Sequence, residues 1–259
     1  MRVVFFGATK FSLDLAEHLL TNEIDIVHFF TMPLEFPISY SKSPVVNYNF
    51  ANIKSLGDRY NIPCIEIESV EGKSMNEQYD LLEVIKPDLI LVIGWFYMVP
   101  QKIRNTSRHG AWGIHASMLP KYAGGAPLVW AIINGENSTG VSLFKLDNGV
   151  DDGDIIIQKE IPIEYEDTIK EVYDKVTIVS KNILLQAINS INSIVPIVQD
   201  KTKIEVFPQR KPDDGEIDFS KSSKEIYDFI RAQSTPYPGA FFRTTDGKKI
   251  VIEKARIKE

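Results

Sequence analysis

The residues Val3-Val4-Phe5-Phe6 follow Arg2 and run straight into Gly7. An apolar stretch this short, closed by a turn residue, reads as a buried strand. Phe11, Leu15, Leu19 and Leu20 then recur at helical spacing, and Asp25–Phe30 repeats the apolar strand pattern. Strand, helix and strand at this spacing form a βαβ unit, which implies a parallel sheet with helices packed on it. Ile53–Tyr60 reads as a second helix, Cys64–Ile67 as a short strand and Glu77–Ile85 as a third helix. Asp88–Ile93 is the strongest buried-strand signal in the chain. Between these elements, Thr31–Asn49 carries Pro33, Pro37 and Pro44 with Tyr40 and Tyr48 and keeps no period. A loop of that length is expected to serve function rather than to connect.

A different pattern starts near Pro196. Ile204–Phe207 alternates, Pro212–Phe219 is rich in turn residues, and Ser222–Ala232 places Ile226, Phe229 and Ile230 on one helical face. Ser222 with Glu225 three residues on has the form of a capping box. Ala240–Arg243 and Lys249–Glu253 flank Asp246-Gly247, a strong hairpin turn. The expected organisation is a main domain over residues 1–200 and a small β-rich module, helix plus hairpin, over residues 201–259. No internal repeat is visible.

Charge and composition remove several function classes. The 259 residues include 29 Lys+Arg and 35 Asp+Glu, a formal net charge of −6. Proteins that grip polyanions usually show a basic excess or face, so nucleic acid is disfavoured as a partner. The longest apolar run, Leu89–Val99, is interrupted by Gly94 and falls short of the about 20 residues that cross a bilayer. The first residues carry one positive charge and then a strand, without the apolar core of a secretory leader, so a cytoplasmic location is expected and no membrane partner. Cys64 is the single cysteine, which excludes an intrachain disulfide and a cysteine zinc cluster and leaves it as a small core residue. His18, His28, His109 and His115 are too scattered for an HExxH-type site, so no metal is expected.

The phosphate-cradling signatures are also missing. The turn after the first strand, Gly7–Ser12, holds a single glycine, so neither the dinucleotide nor the P-loop fingerprint is present. Two other segments stand out: Trp112–Trp130, with His115 inside it, and Asp147–Asp154. The second packs four aspartates and an asparagine around two glycines. Read as a calcium loop it fails, because its twelfth position is Gln158 rather than a glutamate. Carboxylates near one histidine suit acid–base chemistry better than a metal cage.

Together these segments resemble the signature of the folate-dependent formyltransferases: Asn-x-His, then Ser-Leu-Leu-Pro with a Tyr-x-Gly turn, then a Gly-x-Asp-x-Gly-Asp loop. His115, Ser117, Leu119, Pro120, Tyr122, Gly124, Pro127, Gly149, Asp151, Gly153 and Asp154 match it. Pro212–Phe219 and Arg231–Phe241 resemble the linker and C-terminal module of the same family, so the similarity spans nearly the whole chain. The resemblance implies an α/β fold, a Rossmann-like parallel-sheet formyltransferase domain with a small β-rich C-terminal module. It implies His115 as the proton-transfer group, Asp151 as the carboxylate that orients it, and 10-formyl-tetrahydrofolate as cosubstrate. Backbone groups of Tyr97, Met98 and Val99 and of Asp147, Asn148, Gly149 and Val150 would hold the pterin. Ser117 would shape the crevice, and Lys121 would meet the folate tail.

Two departures mark this chain. The family asparagine that donates to the developing oxyanion is Gly113 here, and Ala123–Gly125 stand where several relatives carry an arginine. Loss of one such donor typically costs about 100–1000-fold in rate. Among the branches of the family, the acidic balance and the compact tail after residue 200 resemble the sugar branch. That implies a UDP- or dTDP-linked 4-amino sugar as acceptor, used in surface polysaccharide or O-antigen, and a homodimer. Lys10, Tyr122, and the loop with Tyr40 and Tyr48 would meet the nucleotide sugar. The loop sets only Lys42 against Glu35, which suits a tRNA poorly. A methionyl-tRNA enzyme and a non-catalytic folate- or sugar-binding relative remain the alternatives.

Overall fold

The computed structural model describes residues 1–38, 43–68 and 73–258, so Tyr40 and Lys42 lie outside the described residues. In chain order the elements are β1 (Arg2–Phe6), α1 (Lys10–Thr21), β2 (Asp25–Thr31), β3 (Glu35–Phe36), β4 (Val45–Val46), α2 (Ile53–Tyr60) and β5 (Cys64–Glu66). Then follow α3 (Lys73–Asn76), α4 (Tyr79–Ile85), β6 (Leu89–Val92), α5 (Gln101–Arg104), β7 (Ala111–His115), β8 (Ala123–Gly124) and α6 (Pro127–Ile133). The chain continues through β9 (Ser138–Lys145), β10 (Ile155–Pro162), α7 (Ile169–Asn189), β11 (Val206–Phe207), α8 (Ser223–Ala232), β12 (Ala240–Arg243) and β13 (Lys249–Ile252).

The main sheet has the order β10-β9-β7-β6-β1-β2-β5. β5, β2, β1, β6 and β7 are mutually parallel, as the βαβ pattern predicts. The far edge corrects a purely parallel expectation: β9 runs antiparallel to β7, and β10 antiparallel to β9. The short connection from β9 to β10 has no room for a crossover helix and so reverses the chain between those two strands. Alternation along β1 divides the core. Val3 and Phe5 join the cluster under α1, α2 and α7, while Val4 and Phe6 join Met75, Leu82 and Ile103 on the opposite face. The result is three layers, helix on sheet on helix.

The order reverses beside β1, between the crossovers to β2 and to β6, and such a switch point opens a crevice at the carboxyl ends of the strands. Thr9 caps α1 there in a reciprocal box with Ser12. Gly94 follows β6 with φ +58°, and a Cβ on it would meet the Thr9 hydroxyl at 2.1 Å, so no larger residue fits against the cap. The segment Thr31–Asn49, expected as an irregular loop, instead contains the β3–β4 ladder, and buried Asn47 ties it to the Ala8 carbonyl at 2.9 Å.

The carboxyl-terminal part follows expectation at α8 and at the β12–β13 hairpin. Ser222 caps α8 in the box with Glu225. One face of α8 meets Ile217, Ala240 and Ile252 in a small core. The other buries Asp228 and Arg231 against the main domain. The Arg231 guanidinium donates to Asp228 Oδ1 at 2.8 Å and to the Glu164 and Asp167 carbonyls at 3.1 and 2.8 Å. Arg231→Leu would leave Asp228 with Lys224 alone, remove the side-chain donor from the Asp167 carbonyl and leave the Glu164 carbonyl only the Asp167 amide. It is expected to cost about 3 kcal/mol or more in urea unfolding. A loss below about 1 kcal/mol, the level of an exposed pair, would show that this contact does not hold the module in place.

Candidate functional site

His115 ends β7 at the carboxyl edge of the sheet, adjacent to β6 and the switch point. Its Nε2 lies 2.7 Å from the Tyr122 carbonyl, and its Nδ1 lies 3.4 Å from Asp151 Oδ2. A carbonyl oxygen only accepts, so Nε2 carries a proton and donates it. Both ring nitrogens thus face oxygen, an arrangement that suits a ring moving protons. About a tenth of the side chain is exposed.

The two oxygens come from loops that also bind each other. The Gly124 amide donates to Asp151 Oδ2 at 2.8 Å, so one carboxylate oxygen meets both the ring and the 122–124 turn. Tyr122 and Asp151 have φ of 55° and 50°, a left-handed backbone that costs non-glycine residues about 1–3 kcal/mol each. Ser117 supports the first turn: its hydroxyl donates to the Lys121 carbonyl at 2.6 Å, and its own carbonyl accepts from Ser142. The Ser117 hydroxyl is therefore committed inside the loop rather than turned toward a ligand.

The Asp loop is fastened by residues for which the sequence gives no signal. Gln199 donates from one amide nitrogen to the Asp151 and Gly153 carbonyls at 2.8 and 2.6 Å. Lys201 pairs with Asp152 at 2.7 Å and with Asp147 at 3.4 Å. Arg104 donates to the Leu146 carbonyl at 2.7 Å and to Asn148 Oδ1 at 2.6 Å. Gly149 donates its amide to Asp152, and Val150 is exposed at the tip. Burial pushes the Asp152 carboxyl up, but the bond and charge of Lys201 and the Gly149 amide outweigh that and hold it below the ordinary value.

The segment after β6 packs as an aromatic cluster. Trp95 and Tyr97 meet edge-to-face, Phe36 packs on Phe96 and Tyr97, and the Tyr97 hydroxyl donates to the Pro37 carbonyl at 3.1 Å. Trp95 Nε1 is buried with no acceptor among the described residues. Val99 is buried while Met98 is exposed, and their backbone groups make no hydrogen bond among the described residues. These are donors and acceptors a heterocycle edge can use.

Gly113 lies two residues before His115 on the same face of β7. A Cβ there would meet Leu146 Cδ2 at 3.0 Å and Phe144 Cε1 at 3.2 Å, so the two side chains fill the place of a larger residue. The glycine and its bulky neighbours form one packing unit. Gly124 and Gly125 have a similar reason: a Cβ on them would meet the Phe207 carbonyl at 2.6 Å and the Gln209 amide nitrogen at 2.5 Å, because β11 pairs with β8 here.

Of the remaining sequence-derived residues, Tyr122 stacks on Phe207 with ring centroids 4.8 Å apart and donates its hydroxyl to Glu136 at 2.8 Å. Burial chiefly, helped by Glu136, raises its phenol above the ordinary value. Tyr122, Lys121, Asn134, Glu136, Lys203 and Glu205 line a depression of about 390 Å³ that Phe207 completes. Lys10 is exposed at the start of α1 and paired with Asp14 at 3.1 Å; Tyr48 is exposed. Cys64 is half-buried rather than fully buried, and burial, with Asp58 nearby, pushes its thiol up to about 11. No group of three metal-ligating side chains occurs among the described residues, and no helix there is long and apolar enough to cross a membrane.

Residues 1–188 match the family model described as Formyl transferase, and residues 210–259 match the Formyl transferase, C-terminal domain. A methionyl-tRNA formyltransferase from Alkaliphilus oremlandii is 33% identical over 244 residues, covering 93% of this chain and 76% of that protein. A sugar N-formyltransferase from Shewanella sp FDAARGOS_354 superposes with a TM-score of 0.73 at 19% identity, covering 100% and 99% of the two chains. An N-formyltransferase from Helicobacter canadensis, in complex with folinic acid and dTDP-3-aminofucose, gives a TM-score of 0.66 at 24% identity, covering 89% and 79%.

Two measurements test this site. Gly113→Asn alone is expected to destabilise by about 1–3 kcal/mol through overpacking, and Phe144→Leu to relieve part of that cost. A double-mutant cycle should show coupling above about 0.5 kcal/mol, whereas strict additivity would mean Phe144 does not fill that space. The second concerns pH. A carboxyl held lower in the folded than in the unfolded chain stabilises the fold above its unfolded value of about 4, and loses this as pH falls through the folded value. The stability gap between wild type and Lys201→Met is therefore expected at pH 7 and should shrink toward zero near pH 2. A gap independent of pH would remove Lys201 as the cause.

Proposed function

The chain belongs to the formyl transferase family and is a formyltransferase, and from that premise we propose that it formylates the amine of a nucleotide-linked amino sugar. The observation that carries the catalytic half of this reading is His115 set between Asp151 and the Tyr122 carbonyl. The one-carbon donor, 10-formyl-tetrahydrofolate, supplies an electrophilic formyl carbon to the attacking amine. The buried Trp95 indole N–H and the backbone of Met98 and Val99, which find no hydrogen-bond partner among the described residues, fit a pterin edge, with Val150 and the Asp loop as further contacts.

His115 takes the proton that the amine must lose and returns one to the leaving nitrogen. Asp151 keeps the ring oriented, as the carboxylate beside a catalytic imidazole does. For Nε2 to accept that proton, the neutral ring has to hold its own proton on Nδ1 toward Asp151, and the Tyr122 carbonyl has to yield its place. The left-handed backbone at Tyr122 lowers the cost of that step, because strain is released when the turn moves. Gly113 supplies no side-chain donor, so oxyanion stabilisation falls to backbone N–H groups and to the protonated His115 ring.

Two features support the sugar branch. The net charge of −6 opposes a polyanionic acceptor. The depression beside Tyr122 combines Lys121 and Lys203 with Glu136 and Glu205 and two aromatic rings. Mixed charge of this kind suits a ligand bearing a diphosphate at one end and an ammonium at the other, with a base to stack on Tyr122 or Phe207. The dTDP-3-aminofucose in the Helicobacter canadensis enzyme is a ligand of that chemistry. The methionyl-tRNA name of the sequence relative keeps a second acceptor class in the test.

The experiment is formyl transfer from 10-formyl-tetrahydrofolate to a panel of UDP- and dTDP-linked amino sugars and to methionyl-tRNA. Turnover is expected on a nucleotide sugar, with kcat in His115→Asn lower by about 100- to 10,000-fold. Turnover on methionyl-tRNA with none on the sugars would overturn the acceptor assignment. Undiminished activity in His115→Asn would overturn the catalytic one.

A further inference from the structure

A second hollow, of about 490 Å³, lies at the opposite end of β7 from His115. Four steps along the strand separate Ala111 from His115, roughly 13 Å at the rise of a β-strand. The hollow is therefore distinct from the crevice at the carboxyl edge. Its charged lining is of one sign: Arg104, Arg108 and Lys145, with His109 between them. No carboxylate is among its lining residues. The other wall is apolar, formed by Trp112, Ile156, Ile191, Ile194 and Pro196.

Three cations converging on one concavity is an unfavourable arrangement for an empty surface. Arg108 and Lys145 have no ion pair among the described residues. Arg104 is buried, and its Nη atoms are committed to the Leu146 carbonyl and Asn148, with Asp147 4.0 Å away. Its Nε is buried and has no acceptor among the described residues. The buried guanidinium therefore adds its charge to the hollow's field without offering it a free donor. The field is also felt by His109, which is held below the ordinary imidazole value by burial, then by Arg108 and, less, Lys145, against the opposing pull of Asp88. The volume is in the range of small-molecule sites.

We propose that this hollow is a second ligand site, which binds a phosphate ester through Arg108 and Lys145, with the buried Arg104 adding positive charge behind them, and rests the ester's apolar part on Trp112 and the isoleucine wall. Guanidinium and ammonium groups together meet a phosphate by charge-assisted hydrogen bonds. The apolar wall is what separates an organic phosphate from the free ion, which would use the cations alone.

Isothermal titration of the full chain with inorganic phosphate and with phenyl phosphate, at physiological salt, tests the site. Saturable binding is expected, with phenyl phosphate tighter than inorganic phosphate. Arg108→Ala and Lys145→Gln, each checked by its own melting curve, should weaken it about tenfold or more, the loss expected for one charge-assisted bond. His115→Ala should bind as wild type does, since the crevice is not involved. Equal affinity for the two probes would overturn the role of the apolar wall. Absence of binding, indifference to both variants, or loss of binding in His115→Ala would overturn the site. None of these readouts depends on formyl transfer or on the acceptor assigned above.

Discussion

The arrangement at the carboxyl edge rests on one imidazole gripped from both sides by oxygens that belong to different loops. The ring sits on the end of a central strand, where His115 pairs with Ser142 of β9 and the strand pairs with β6 up to Gly113. The oxygens do not share that rigidity. Tyr122 and Asp151 both adopt left-handed backbone, and the Gly124 amide joins the two loops through the same carboxylate that faces the ring. Neither loop would hold this conformation alone, because each strained residue is compensated by a bond to the other loop or to His115.

That mutual dependence extends into the chain that returns from α7. Gln199 and Lys201 fasten the Asp loop, and Val206 and Phe207 pair with Ala123 and Gly124 beneath the Tyr122 ring. The formyltransferase domain therefore completes its site with a segment that follows its last long helix. α8 then presses Asp228 and Arg231 onto the loop before α7, so the carboxyl-terminal module is locked to the same body by buried polar contacts.

Much of the fold could be read directly. The short apolar run of β1 closed by Gly7, the 3.6 spacing of α1 and α2, and the capping box of α8 are local signals, and local packing agrees with them. The antiparallel edge was not legible, because Ser138–Lys145 reads as a strand whichever direction its neighbour runs. In the site, His115 and Asp151 stood out by motif, yet the Tyr122 carbonyl as the second partner of the ring has no side-chain signature at all. The clamps at Arg104, Gln199 and Lys201 belong to stretches with no pattern, since a hydrogen bond to a distant carbonyl leaves no trace in residue type. The glycine at 113 was visible as a departure; only packing reveals that Phe144 and Leu146 take up the space.

Sequence alone was enough for the layered α/β architecture and the acidic balance, and it singled out His115 and Asp151 as candidates, because each is carried by residue type and local pattern. Tertiary structure alone decided which oxygens face the ring, which cations gather at the far end of β7, and why glycine stands at 113 and 124. Those facts depend on atoms brought together from segments far apart in the chain, and closeness in space across a sheet is a property of the fold rather than of any local run of residues.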